Sequence, residues 1–151
     1  MGELVKHTYN IDLKWDEGRQ GTLSSQKLKE KIKVATPPEF PGGVEGIWSP
    51  EHLFIASVSS CFMTTFTAIA EYSKLKYEEL AVPAIGIMNN KSGKFAITEI
   101  ILRPKLVIMD EDQKDKALRI LQKAEEACLI TRSIKTEVKL EPEVLVAVGG
   151  Y

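Results

Sequence analysis

The sequence predicts an α+β fold with the element order βββ-α-ββ-α-β. Apolar and polar residues alternate near the start of the chain and again near its end, the period of half-buried strands. Between them, residues 52–70 contain no acidic or basic side chain other than His52. A second helical pattern comes much later, so strands arrive in groups instead of one between each pair of helices. That grouping separates α+β from a doubly wound parallel sheet.

Val5, His7, Tyr9, Ile11, Leu13 and Trp15 alternate with Lys6, Thr8, Asn10, Asp12 and Lys14 and predict the first strand. Asp16-Glu17-Gly18 turns the chain and leaves Arg19 just beyond the turn. Residues 21–24 and 31–35 predict the second and third strands, and the proline- and glycine-rich run 37–43 breaks all regular structure. Ser49 is a good N-cap and Pro50 suits the first helical turn, where its missing N–H costs nothing. Leu53, Phe54, Ile55, Val58, Phe62, Met63, Phe66 and Ile69 then fall on every side of a helix over residues 49–72. A helix apolar all round is either a membrane span or the buried axle of a globular fold. The hydroxyls of Ser57, Ser59, Ser60, Thr64, Thr65 and Thr67 make it a poor span. It reads as a buried central helix with Cys61 at its middle.

Lys74, Lys76, Glu78 and Glu79 end that helix. Residues 80–88 and 95–109 predict two strands joined by a polar hairpin loop at 89–93. Pro83 and Pro104 are expected at edge or bulged positions there. Asp110, Glu111 and Asp112 place negative charge on the first turn of a second helix, where the dipole favours it. Ala117, Leu118, Ile120, Leu121, Ala124, Ala127 and Cys128 share one face of it. Ile134, Thr136, Val138 and Leu140 alternate with charged residues in a last strand.

At 151 residues the chain is expected to form one domain over 1–151 with a real core. Hydrophobic content of 44% and charged content of 27% are those of an ordinary soluble protein. A net charge of -1 gives no reason to expect nucleic acid or a membrane surface as partner. The first ten residues have no apolar core and no small-residue cleavage site, unlike a secretory signal. Two cysteines without such a signal point to a reducing compartment, and a cytoplasmic location is expected.

Taken alone, Cys61 and Cys128 read first as small buried hydrophobes. An apolar setting raises a thiol pKa, so Cys61 would be inert unless a cation approached it. Two packed helices could bring both sulfurs within disulfide range, which requires Cα atoms roughly 5.5 Å apart. Arg19 is the useful cation, although an arginine beside a turn is ordinarily a solvated surface charge. Glu51, in the first helical turn, would stabilise the helix dipole in any case. Glu51 and Cys61 are ten residues apart, about 15 Å along one straight helix. If both serve one site, Glu51 must come from a second, antiparallel copy of the helix, in a symmetric dimer. His7 and His52 are too far apart, and the cysteines too poorly spaced, for a zinc site. His52 reads as a helix-end residue and Trp48 as a staple or a pocket wall. Gly42, Gly43 and Gly46 form no phosphate loop.

The run Gly18-Arg19-Gln20-Gly21-Thr22-Leu23-Ser24, then Ser49-Pro50-Glu51-His52-Leu53-Phe54 leading to Ser60-Cys61-Phe62, then Cys128 late in a second helix, resembles the OsmC/Ohr family. The resemblance covers essentially the whole chain. It implies an OsmC-like, intertwined homodimer with two long central helices between sheets built by both chains. It also implies a thiol-dependent peroxidase that reduces organic hydroperoxides. By position, Cys61 matches the family's peroxidatic cysteine and Cys128 its resolving cysteine. Arg19 matches the arginine that holds the reactive thiolate, and Glu51 the glutamate that orients that arginine from the partner chain. The family usually follows its second cysteine with proline, where this chain has Leu129-Ile130-Thr131.

The implied reaction needs no metal, haem or flavin cofactor. Cys61 would be oxidised to a sulfenic acid, Cys128 would close a disulfide, and a lipoyl protein or thioredoxin-like dithiol would reopen it. Phe62 and Phe66 are expected to favour organic peroxides, because a greasy tail contributes about 0.8 kcal/mol per buried CH₂. The alternatives are a thiol redox sensor using the same disulfide and a non-catalytic binder of a small apolar ligand.

Overall fold

A computed structural model describes residues 6–147. The chain forms two compact units, Met1–Leu53 and Phe54–Tyr151, and the long helix passes from the first into the second. The architecture is mixed α+β, as the sequence predicts.

The first unit is an antiparallel meander of β1 (Asp12–Glu17), β2 (Gln20–Ser25) and β3 (Leu28–Ala35). Glu17 pairs with Gln20 and Ser25 with Leu28, so both hairpins turn on two residues. Gly18, at φ +50, opens the first turn, and the Trp15 indole donates to its carbonyl at 2.9 Å. Strand β1 begins later than its alternation suggests. Asp12 already faces Ser24, near the end of β2, so the residues before it have no ladder partner. Val5 lies outside the described residues. The alternation itself is present, yet Leu13 and Trp15 are 65% and 70% exposed in the single chain.

Helix α1 (Pro50–Tyr72) has the expected bounds, and Ser49 caps it by accepting the His52 N–H at 3.0 Å. The remaining helices are α2 (Lys114–Ala127), preceded by a 3₁₀ turn at Glu111–Gln113, and α3 (Leu129–Arg132). Asp110 caps the 3₁₀ turn by accepting from the Asp112 N–H at 2.9 Å.

In the second unit the two predicted strands after α1 are each cut in two, and the predicted last strand, shorter than its alternation suggests, is followed by another that the pattern does not mark. The strands are β4 (Glu79–Ala81) and β5 (Ala84–Lys91), β6 (Lys94–Leu102) and β7 (Lys105–Ile108), and β8 (Glu137–Leu140) and β9 (Glu143–Val146). They form two three-stranded sheets, ordered β4-β7-β9 and β5-β6-β8. Pro83, Pro104 and Pro142 occupy the three breaks. The expectation that Pro83 and Pro104 sit at edges or bulges is therefore only half right. Pro104 interrupts the central strand, and because proline has no N–H to donate, the whole sheet divides there. The seam stays closed because the carbonyls of Pro83, Leu102 and Pro104 accept from the N–H groups of Arg103, Glu141 and Glu143 at 2.8–2.9 Å.

The core lies in this unit. Val58, Phe62, Phe66 and Ala70 recur every four residues along α1 and are wholly buried. They join Ile100, Leu102, Leu106 and Ile108 from the sheets and Ala117, Leu121 and Ala124 from α2. Phe66 meets the edge of Tyr77 with centroids 5.4 Å apart. The rest of α1 is less covered than a buried axle requires: Met63 is 41% and Tyr72 89% exposed. Phe66→Ala removes a fully buried ring from this cluster and is expected to lower stability by about 3–5 kcal/mol. Urea denaturation followed by circular dichroism measures that loss.

Candidate active site

Cys61 sits midway along α1, half-buried at the flank of the buried stripe, between Val58 and Phe62. Packing of those neighbours holds the thiol in place. Thr65, one turn further on, brings its Oγ1 to 3.9 Å from the Cys61 sulfur.

Cys128 reaches the same point from the other helix. The sequence pattern predicts a helix running through it, but α2 stops at Ala127 and Cys128 takes an extended backbone, φ -64 and ψ 116. α3 restarts immediately, its first bond running from the Arg132 N–H to the Cys128 carbonyl at 3.1 Å. The opening N–H groups of a helix have no acceptor within it. Those of Leu129 and Ile130 act instead on the Cys61 sulfur, as does the Cys128 thiol, and favour its charged form. A proline at position 129 would have no N–H to give.

The two thiols are driven apart in acidity. Burial pushes the Cys61 pKa up, but the donors from Ile130, Cys128, Thr65 and Leu129 outweigh it and hold the thiol below the usual 9.0. Cys128, fully buried, is pushed up chiefly by burial, with smaller additions from its contact with Cys61 and the charge developing there. The Thr131 hydroxyl and N–H oppose that shift, second only to burial in size, without reversing it. Of the two thiols, Cys61 is the more readily ionised and Cys128 the more proton-retaining.

The other two candidates lie in the first unit. Arg19 stands at the tip of the β1–β2 turn, exposed, and Glu51 is half-buried in the first turn of α1. Neither has an ion pair among the described residues. Arg19 borders an apolar cleft of about 280 Å³ walled by Leu13, Trp15, Val34 and Pro50. His52 is a helix-end residue, its Nδ1 2.6 Å from the Ser49 hydroxyl and its ring edge-to-face with Trp48. No group of His, Cys, Asp or Glu is placed to hold a metal ion among the described residues. Phe62 and Phe66 belong wholly to the core, so they cannot line a substrate path as the sequence suggested.

The profile of the OsmC-like protein family matches residues 43–143. The chain belongs to the OsmC-like family. The uncharacterized protein YmaD of Bacillus subtilis is 33% identical over 97% of this chain and 99% of its own length. An OsmC-like protein of unknown function from Vibrio cholerae superposes with a TM-score of 0.81 at 27% identity, covering 91% of this chain and 99% of that one. An OsmC from Legionella pneumophila, named an organic hydroperoxide resistance protein and predicted redox protein, gives 0.72 at 25% identity over 93% and 100%. The OsmC-like family is thereby associated with organic hydroperoxide resistance and redox chemistry.

Sequence reasoning missed Thr65 and the N–H groups of Leu129 and Ile130. The i+4 spacing of Thr65 from Cys61 was available; the helix break was not, since no glycine or proline marks it. Thr65→Val removes a donor that favours the thiolate, so the Cys61 pKa is expected to rise, while Thr65→Ser restores it. The pH dependence of iodoacetamide alkylation, read at the Cys61 peptide by mass spectrometry, measures both.

Proposed function

We propose that the protein is a cytoplasmic, thiol-dependent peroxidase that reduces organic hydroperoxides to alcohols. The observation carrying this reading is the pairing of a low-pKa Cys61 with a buried, proton-retaining Cys128 in hydrogen-bond contact. A structural thiol has no need of four donors; a nucleophile does.

In the proposed cycle the Cys61 thiolate attacks the distal peroxide oxygen and the O–O bond breaks. The sulfur gains that oxygen as a sulfenic acid, while the alkoxide leaves and takes up a proton as the alcohol. Arg19 holds the thiolate and stabilises the departing oxygen. Glu51 from the partner chain orients the arginine. The Cys128 thiol then condenses with the sulfenic acid, releasing water and forming the Cys61–Cys128 disulfide. A dithiol donor, a lipoyl protein or a thioredoxin-like protein, reduces the disulfide by exchange and is itself oxidised. The apolar cleft beside Arg19 suits an organic tail better than a hydrogen peroxide molecule.

The same reading includes a homodimer. α1 runs unbroken from Pro50 to Tyr72, so Glu51 cannot fold back toward the Cys61 of its own helix. The side of α1 carrying Ser60, Met63, Thr64 and Ala68, opposite the buried stripe, is open to a second copy, which would bury it.

Consumption of cumene hydroperoxide with dihydrolipoamide tests the proposal. Cys61→Ser is expected to abolish turnover. Cys128→Ser is expected to complete one oxidation and then stall or proceed to sulfinic acid, visible in the intact mass. Full activity in Cys61→Ser would overturn the mechanism. A disulfide that forms without turnover would indicate a redox sensor, and no oxidation at either cysteine a passive binding protein.

A further inference from the structure

The glycines before α1 are absorbed neither by a phosphate loop nor by the thiol chemistry. One of them touches a proposed site residue. A Cβ on Gly42 would stand 2.9 Å from Arg19 Cγ, 3.1 Å from Nε and 3.6 Å from Cδ. The middle of the arginine side chain therefore lies directly over the bare Cα of residue 42.

The surface beneath the arginine is firmly built. The Thr36 N–H bonds to the Arg19 carbonyl at 3.4 Å, and the Val44 N–H to the Thr36 carbonyl at 2.9 Å, so the loop between β3 and α1 closes on itself beside Arg19. Within it, Phe40 donates to the Pro37 carbonyl at 3.1 Å and Gly43 to the Phe40 carbonyl at 3.0 Å. Gly42 holds the turn at φ +79, a conformation L side chains rarely adopt.

From this contact we propose that Gly42 is a positioning residue, a seat that sets the direction of the Arg19 side chain. An arginine without an ion partner has a large rotamer entropy, and its guanidinium acts at a fixed point only if the stem is confined. The seat confines the stem through shape, leaving the guanidinium to be oriented by the carboxylate proposed above. The catalytic consequence rests on the role proposed above for Arg19; the seating does not.

Gly46 provides the matched control. It has the same φ of +79, but nothing lies within 4 Å of the Cβ it lacks. Gly42→Ala and Gly46→Ala thus impose the same backbone penalty, and only the first displaces Arg19. The ¹⁵N order parameter of the Arg19 Nε–H is expected to fall in Gly42→Ala and to hold in Gly46→Ala. Peroxidase kcat/KM is expected to drop by about 10–100-fold in Gly42→Ala and the Cys61 alkylation midpoint to move to higher pH, with both near wild type in Gly46→Ala. In an Arg19→Ala background, Gly42→Ala should add nothing. Gly42→Asn tolerates the left-handed backbone while filling the seat, and replaces the alanine variant if that fails to fold. Equal order parameters in the two glycine variants would overturn the seating. A selective fall at Gly42→Ala, with Arg19→Ala fully active, would instead leave the seat standing and remove Arg19 from the chemistry.

Discussion

The proposed chemistry depends on the donors that converge on one sulfur. A half-buried thiolate loses water, and without replacement the proton returns. Around Cys61 the replacements come from both helices: a hydroxyl on α1, then a thiol and two backbone N–H groups where α2 gives way to α3. Breaking the second helix at Cys128 makes this possible. A continuous helix would have bound the Leu129 and Ile130 N–H groups to its own carbonyls, leaving Cys61 an apolar neighbour and an ordinary buried cysteine.

The rest of the second unit holds the two helices in place for that meeting. The stripe of Val58, Phe62, Phe66 and Ala70 anchors α1, and Ala117, Ile120, Leu121 and Ala124 anchor α2, in one cluster. Cys61 is adjacent to a wholly buried phenylalanine, so the sulfur cannot move without disturbing the core. Proline breaks divide the sheet beneath into two, and the carbonyls at the seam remain paired. Rigid elements of this kind position a thiol more closely than loops do.

In the first unit, shape confines the arginine stem. Arg19 is delivered by a two-residue turn, meets no carboxylate within the described residues, and rests on a glycine that a side chain would spoil. The apolar residues of β1 and the open side of α1 are well patterned yet exposed. That mismatch between pattern and burial is what a second copy of the chain would resolve, and it is the physical ground for the proposed dimer.

Much of this was legible in the sequence. The charge-free run of residues 52–70 and the Ser49-Pro50 cap determined α1 to within a residue, because local capping and the lack of any acidic or basic residue but His52 leave few alternatives. Alternation located the strands, and the apolar face of α2 located its core contacts. The proline seam was half visible: Pro83 and Pro104 could be read as edge or bulged positions, but that Pro104 and Pro142 lie side by side, with Pro83 next to them, is a matter of strand register. Cys61, Cys128, Arg19 and Glu51 could be picked out by type and order. Only the tertiary structure decided that the two thiols meet, that Cys128 ends a helix with no glycine or proline to mark it, and that one thiol is acidified while the other is not. Those outcomes depend on which backbone donors face the sulfur, and donor direction is set by packing between distant segments, not by the identity of neighbouring residues.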